Sequence, residues 1–588
     1  SLVNSNSYFR QLIRHLRELN RIKALGILAV LTLTSGVVSG NEAAVAGIPS
    51  LDKQLVGDFE ELWVHGRDGR IEPMSTLAGE ILRKVSRKSS YFDKSPSEVI
   101  LSMNLYPELW RTVPLIRVEK EVTSRLGVAG EYAAAIDFFD QQGQYKLLQE
   151  VQAAYSKMPA FRTQLEKDLI NTDERINICF MVYKGEFFTF FPPVSQKDAW
   201  FAAGSQPAGY PKSDSLFVNR SFQLLKEAVA GEGEVQPRQI LSTVAAFQEK
   251  FGKEILPSEQ KKWAEMTYNT VQPFKRLFIW YLLAGFSLLF MLFLNIFRQK
   301  TIGRKTFMIW SILIVTGFLF HTFGLILRWY ISGHAPWSNG YESMVYVAWA
   351  AMLAGIIFGR KYPMVLGTAA FLSGIILFVA HLNWMNPEIT HLVPVLKSYW
   401  LLIHVAIITA SYGFIGLSAF LGILVLILYA QMNEQNRKTS GHFIEQLTTI
   451  SELSATLGLY MLTIGTFLGG VWANESWGRY WGWDPKETWA LITVFVYAFV
   501  VHMRLIPSLR GRYNYNLATV IGFSSVLMTY FGVNYFLSGM HSYGKGSVDG
   551  VSWSVYVAAT AIFGLILLSY AKFRKFEEVR DPGNSKDA

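Results

Sequence analysis

Trp477, Trp481, Trp483 and Trp489 fall within one run of 13 residues, together with Gly478, Gly482 and Pro485. Indoles are flat and apolar with one polar edge, glycine lets a backbone approach a ligand closely, and proline fixes a turn. One or two tryptophans would serve as membrane-interface anchors. Four at this density suit a platform for a large planar apolar ligand, a haem or another molecule of tetrapyrrole size. Histidine is the natural partner for such a ligand, because paired imidazoles are good axial ligands for haem iron. The run also carries Asp484 and Glu487 on either side of Pro485. Their placement predicts capping of a helix that starts at the proline, with acid–base chemistry as the alternative.

The elements that must position these groups are membrane helices. Of 588 residues, 51% are hydrophobic and only 17% charged, against about 25% charged in ordinary globular chains. A spanning helix needs about 20 predominantly apolar residues. Such segments lie near 24–40, 277–297, 306–331, 343–359, 362–382, 399–431, 455–473, 488–506, 516–537 and 552–571. The first is short, basic at its start and followed by small residues, so a cleavable signal peptide is the alternative there. The chain begins at Ser1, and a segment upstream is expected to be missing. Lysines and arginines cluster at 10–23, 298–305, 360–361, 437–438, 504–512 and 572–575, all on one side if ten spans alternate. By the positive-inside rule this side is cytoplasmic, which puts 41–275 outside. The expected fold is a polytopic α-helical membrane protein with about ten transmembrane helices and one large extracytoplasmic α+β domain.

The domain plan is then a basic cytoplasmic segment with the first helix (1–40), the outer domain (41–275), a helix with its cytoplasmic linker (276–305), a transmembrane ligand-handling domain (306–571) and a cytoplasmic tail (572–588). In the outer domain 131–170 reads as helical, and Gly185–Phe191 before Pro192-Pro193 as a strand and turn. The net charge of +10 belongs to the inner loops, so lipid and not nucleic acid is the expected environment. The single cysteine, Cys179, excludes an internal disulfide, a cysteine zinc site and a CxxC redox pair within this chain; it reads as a buried small residue.

The topology sorts the ten histidines by depth. His15 and His442 lie inside, His65 is in the outer domain, and His321 is mid-membrane. His381 sits at an outer helix end, His334, His391 and His541 in outer loops, His404 about one turn inside an outer end, and His502 near an inner end. An intramembrane histidine signals function or a helix-packing hydrogen bond.

Trp477-Gly478-x-x-Trp481-x-Trp483-Asp484-Pro485-Lys486-Glu487-Thr488-Trp489, within the loop 472–489, resembles the WWD signature of haem-handling proteins, in the form of the CcsA branch. Leu327-Arg328-Trp329, Ser332–Pro336, Asn339–Ser343, Ser398–His404 and Gly532–Gly544 match as well, so the likeness covers roughly 306–571. With Gly69-Arg70-Ile71-Glu72-Pro73 in a CcsB-like outer domain, the whole resembles a fused CcsBA-type cytochrome c synthase of the System II pathway.

The resemblance implies a bacterial cytoplasmic (inner) membrane protein that exports haem b (iron protoporphyrin IX) and attaches it by thioether bonds to apocytochrome c carrying CxxCH. A haem carrier serving a separate ligase is the alternative. It implies His404 and His541 as axial ligands of the iron on the outer face and His502 as a transit-site ligand. Trp477, Trp481, Trp483 and Asp484 complete the catalytic set, and Gly478, Gly482 and Trp489 line the ligand. Arg328, at an outer helix end beside Trp329, reads either as a ligand residue pairing a propionate, since a guanidinium recognises carboxylate, or as an interfacial anchor. The family's further intramembrane histidine has no clear counterpart; His321 is a candidate. Thiol-reducing partner proteins are implied for the substrate cysteines.

Overall fold

The computed structural model describes residues 47–158, 161–194, 199–205, 209–300, 302–382, 385–392, 398–537 and 552–578. The expected span at 24–40, His15 and His541 lie outside the described residues. The chain divides into two compact units, Ser1–Pro257 and Ser258–Ala588.

The first unit is mainly helical: α1 (Lys53–Glu60), α2 (Met74–Ser86), α3 (Pro96–Leu105), α4 (Lys120–Leu126), α5 (Leu148–Ser156), α6 (Gln164–Lys184), α7 (Lys212–Val229) and α8 (Pro237–Gly252). Two antiparallel pairs supply its β-structure, β1 (Trp63–His65) with β2 (Ile71–Pro73) and β3 (Ile116–Arg117) with β4 (Tyr132–Ala133). The expected helix over 131–170 is broken into β4, a 3₁₀ turn at Ala135–Phe138, α5 and the start of α6. α6 begins with a capping box, Thr163 with Glu166, and ends at Gly185 with φ 75°, the left-handed conformation glycine tolerates best.

The expected strand at 185–191 does not form. Phe188 and Phe190 are fully buried and pack on Phe59 and Phe222, and only Phe191 pairs, in an isolated bridge with Phe201. The physical reason is that the run's backbone groups are met one by one by scattered partners, among them Gln248, His65, Phe201 and Ala203, and not by one neighbouring strand. Gln248 substitutes for a neighbouring strand, its amide accepting from Trp63 N and donating to Trp63 O and Phe190 O. The Gly69–Pro73 motif forms the hairpin turn and a buried Arg70–Glu72 ion pair.

The second unit contains α9 (Glu259–Val271), α10 (Pro273–Phe297), α11 (Arg304–Ser332), α12 (Gly340–Gly359), α13 (Pro363–His381), α14 (Tyr399–Ala430), α15 (Arg437–Trp477), α16 (Pro485–His502), α17 (Arg512–Leu527, prolonged to Phe536) and α18 (Trp553–Glu578). Nine helices among the described residues are long and apolar enough to cross a membrane, which makes this a polytopic helical membrane protein. The second unit takes in the polar helix α9, where Tyr268 accepts a hydrogen bond from Arg328 on α11. α15 has 41 residues without a break, about 60 Å of helix, where hydropathy marked only 455–473. Its polar half is tied by Glu445 to Arg512 and by Glu452 to Arg504.

Candidate functional site

Between lipid-facing helices no water is displaced by association, so small residues and side-chain hydrogen bonds set the packing. α14 and α15 meet along such a seam. Ser451 donates to Ser418 O and Ser454 to Phe414 O. One end of the seam holds His404. Its Nδ1 lies 2.9 Å from the Gly465 carbonyl oxygen, and its ring stacks on Trp472 at 6.1 Å and 12°. A carbonyl acceptor requires the proton on Nδ1, which leaves the lone pair on Nε2, the tautomer a metal ligand needs. The close approach depends on Gly469, where a Cβ would stand 2.7 Å from His404 Cε1.

His404 lines a cavity of about 430 Å³, within the roughly 300–1,000 Å³ common for cofactor and ligand sites. Its wall is largely aromatic, with Trp337, Tyr412, Trp472, Tyr480, Trp481 and Tyr530. Trp481 Nε1 is buried without an acceptor among the described residues. An imidazole whose Nδ1 is held on a carbonyl, set among flat apolar walls, is chemistry that fits a haem.

The tryptophan-rich loop is held from its carboxylates. Asp484 caps α16, accepting from Lys486 N at 2.9 Å, while Glu487 Oε2 accepts from Gly482 N at 2.8 Å and Asp484 N at 3.3 Å. The expected capping role of this pair is what the structure shows; of the two, Glu487 lines the cavity and Asp484 does not. Trp483 is held at φ 55°, a left-handed conformation unusual for a large side chain. It is 72% exposed and meets Trp481 edge-on.

After α17 the helix widens into a π turn, Met528–Gly532, before Val533–Phe536. Thr529, inside this turn, donates to Trp489 O and Ser525 O. The segment brings Tyr530, Asn534 and Tyr535 to the cavity wall. π turns of this kind recur at functional sites. Lys486 enters from the opposite side, its Nζ 3.1 Å from Asn534 Oδ1.

Of the site residues expected from sequence, His404 and Trp481 line the cavity. Trp477 packs on the far side of Trp472, ring centroids 4.8 Å apart. Gly478 ends α15 at φ 71°, and the Trp489 carbonyl receives the Thr493 and Thr529 hydroxyls. Neither these nor Gly482 and Trp483 are among the lining residues. His502 is exposed at the end of α16 and bonds Ala498 O at 2.7 Å, apart from the cavity.

Arg328 is bonded within the protein. It is 1% exposed, with Nε on Glu342 Oε1 at 2.7 Å, Nη1 on Tyr268 Oη and Pro387 O, and Nη2 on Glu388 O. A guanidinium spent in this way does not reach for a propionate. His321 is packed against Phe274 and Tyr281 and does not line the cavity.

Sequence reading missed Lys486, Asn534, Tyr530, His334 and His391 as cavity residues. His334 holds the rim, its ring nitrogens 3.2 Å from Ala335 O and Thr390 O. Lys486 had a signal: a cation in the first turn of a helix, where acids are favoured. In the first unit, burial pushes the Cys179 thiol up to about 12, in keeping with an inert core residue.

The protein family described as "Cytochrome C assembly protein" matches residues 337–541. The chain is 39% identical over 552 residues to Protein NrfI of Wolinella succinogenes, covering 93% of this chain and 61% of that protein. It is 36% identical over 289 residues to the cytochrome c biogenesis protein CcsA of Synechococcus sp. (strain CC9605), covering 44% of this chain and 94% of that protein. The CcsA of Prochlorococcus marinus (strain MIT 9303) is 35% identical over 294 residues, 92% of its length.

Proposed function

The chain belongs to the cytochrome c assembly family of the CcsA proteins, and on that premise we propose that it is a haem-exporting cytochrome c synthase of the fused CcsBA kind. The observation that carries this reading is the His404 imidazole, its tautomer set by Gly465, facing an aromatic cavity large enough for a planar macrocycle.

The substrates are haem b and an apocytochrome c with a CxxCH segment. His404 takes the iron from one face, and His541, the second ligand implied by the family resemblance, takes the other. Trp481 and Trp472 position the ring, and His502 serves haem in transit from the inner side. The family's WWD loop, with Trp477, Trp483 and Trp489 behind the wall, keeps the platform in shape. The substrate's own histidine then replaces one imidazole on the iron.

Each substrate thiol adds across a vinyl group, sulfur to the carbon beside the ring and hydrogen to the terminal carbon, with no electron gained or lost. The protein's contribution is orientation, which can supply several kcal/mol of barrier reduction. A separate thiol-reducing partner keeps both cysteines reduced. The large first unit lies on the extracytoplasmic side and docks the substrate. The positive-inside pattern of the loops supports that orientation.

Co-expression with a CxxCH apocytochrome in a host lacking its own maturation genes tests the reading, with covalent haem stained on denaturing gels. Holocytochrome is expected with the parent chain, is lost in His404→Ala and returns with added imidazole. Haem that co-purifies with the chain but never becomes covalent on the substrate would leave a carrier in place of a synthase.

A further inference from the structure

We propose that Lys486 receives a carboxylate of the cavity's ligand, so that the site selects a porphyrin by its free acid side chains as well as by its metal and ring. The inference rests on the haem reading above and names the ligand group that reading leaves unassigned.

Lys486 follows Pro485 in the first turn of α16, an 18-residue helix. The positive end of a helix dipole is a poor place for a cation and a good one for an anion. A lysine near a membrane interface ordinarily extends its ammonium to water. Lys486 instead turns inward and lines the cavity, Nζ on Asn534 Oδ1. The Asn534 amide is fixed in that sense, because its Nδ2 donates to Tyr530 O at 2.5 Å.

No carboxylate among the described residues closes an ion pair with Nζ. Each of the two acids beside it accepts from backbone, Asp484 Oδ1 from the Lys486 N–H and Glu487 Oε2 from Gly482 N and Asp484 N, and neither is within ion-pair distance of Nζ. An ammonium has three donors, and one neutral amide oxygen meets one of them. Trp481 Nε1, in the same wall, is buried with no acceptor. The Lys486 ammonium and a helix N-terminus border a cavity in which no protein carboxylate pairs with Nζ, although Glu487 belongs to the same wall. The complementary group is an anion with oxygen acceptors on an otherwise flat apolar body. Haem offers this through its propionates, and the sequence's candidate partner for them, Arg328, is already bonded to Glu342 and two carbonyls.

The test titrates the purified full-length chain, in detergent, with iron protoporphyrin IX and with its dimethyl ester, followed by the Soret band. The parent is expected to bind the diacid roughly tenfold to a hundredfold more tightly than the diester, the value of one charge-assisted hydrogen-bonded pair. Lys486→Gln is expected to bind both with the parent's diester affinity, which also shows that its fold is intact. Lys486→Arg retains the preference for the diacid. Equal binding of the two porphyrins by the parent, or an undiminished preference in Lys486→Gln, overturns the role of Lys486 and leaves the haem reading standing. Binding of neither porphyrin by the parent overturns the haem reading itself, and this inference with it.

Discussion

Arg328 and Lys486 are both cations near helix ends in the second unit, and the protein treats them oppositely. Arg328 is withdrawn into packing, with Glu342 as counter-ion, Tyr268 and two carbonyls as further acceptors, and the Tyr341 ring 5.4 Å from its guanidinium carbon. Glu342 in turn accepts from Ser338 N and belongs to the first turn of α12. Lys486 has one neutral acceptor and opens on a cavity. The first arrangement is closed: each group answers another group of the chain, so its removal is felt by the fold. The second is open, and its removal is felt by whatever enters. Buried charge alone does not mark a binding residue; the balance of donors against acceptors does.

The comparison breaks most easily at Arg328. Arg328→Ala leaves Glu342 buried without its partner and is expected to cost about 3–5 kcal/mol, seen as a large fall in folded yield and in the thermal midpoint in detergent. A loss of haem affinity with unchanged stability would reverse the assignment. Gly469→Ala comes next. A methyl group 2.7 Å from His404 Cε1 must push the imidazole off its seat at a cost of roughly 1–3 kcal/mol, read as a shifted or weakened Soret band with the helical signal preserved.

Lys486→Met loses only the hydrogen bond to Asn534 and is expected to lower the stability of the ligand-free chain by about 1 kcal/mol, read as a small fall in the thermal midpoint. A fall like that of Arg328→Ala would show a closed site. The smallest effect concerns the other unit. The Cys179 thiol, pushed up to about 12 by burial, carries almost no thiolate at pH 8, so iodoacetamide labels it only after unfolding. Because its folded pKa is raised, the thiol favours the fold fully below its ordinary value of about 8.5 and progressively less as pH climbs toward 12. Rapid labelling of the native chain would contradict the packing.

Hydropathy placed the helices well because a membrane span is a local property of some 20 residues. It missed the polar half of α15, where Glu445 and Glu452 are paired with arginines over 50 residues away in sequence. The phenylalanine run at 187–191 misled for a related reason: its partner is the side chain of Gln248, which no local pattern announces. Within the candidate site, His404 and Trp481, marked by family resemblance and by the density of tryptophans, both line the cavity. Arg328 stayed open in the sequence because a guanidinium beside a tryptophan reads the same whether its acceptors are a ligand's or, as here, Glu342 and the 387–388 carbonyls. Lys486 and Asn534 are 48 positions apart, and only the packing of α16 against the end of α17 makes them a pair.

The π turn at Met528–Gly532 has the further consequence of setting a phase. Each residue of an α-helix advances the side chains by about 100°, so a turn wound one residue wide rotates everything beyond it relative to everything before. Deleting a single residue there would restore an even winding and leave both flanking segments intact. Tyr530 and Asn534 would nevertheless swing off the wall they now share, carrying away the one oxygen that Lys486 holds. The coincidence of amine and amide is thus an angular setting, written into the chain as a count of residues.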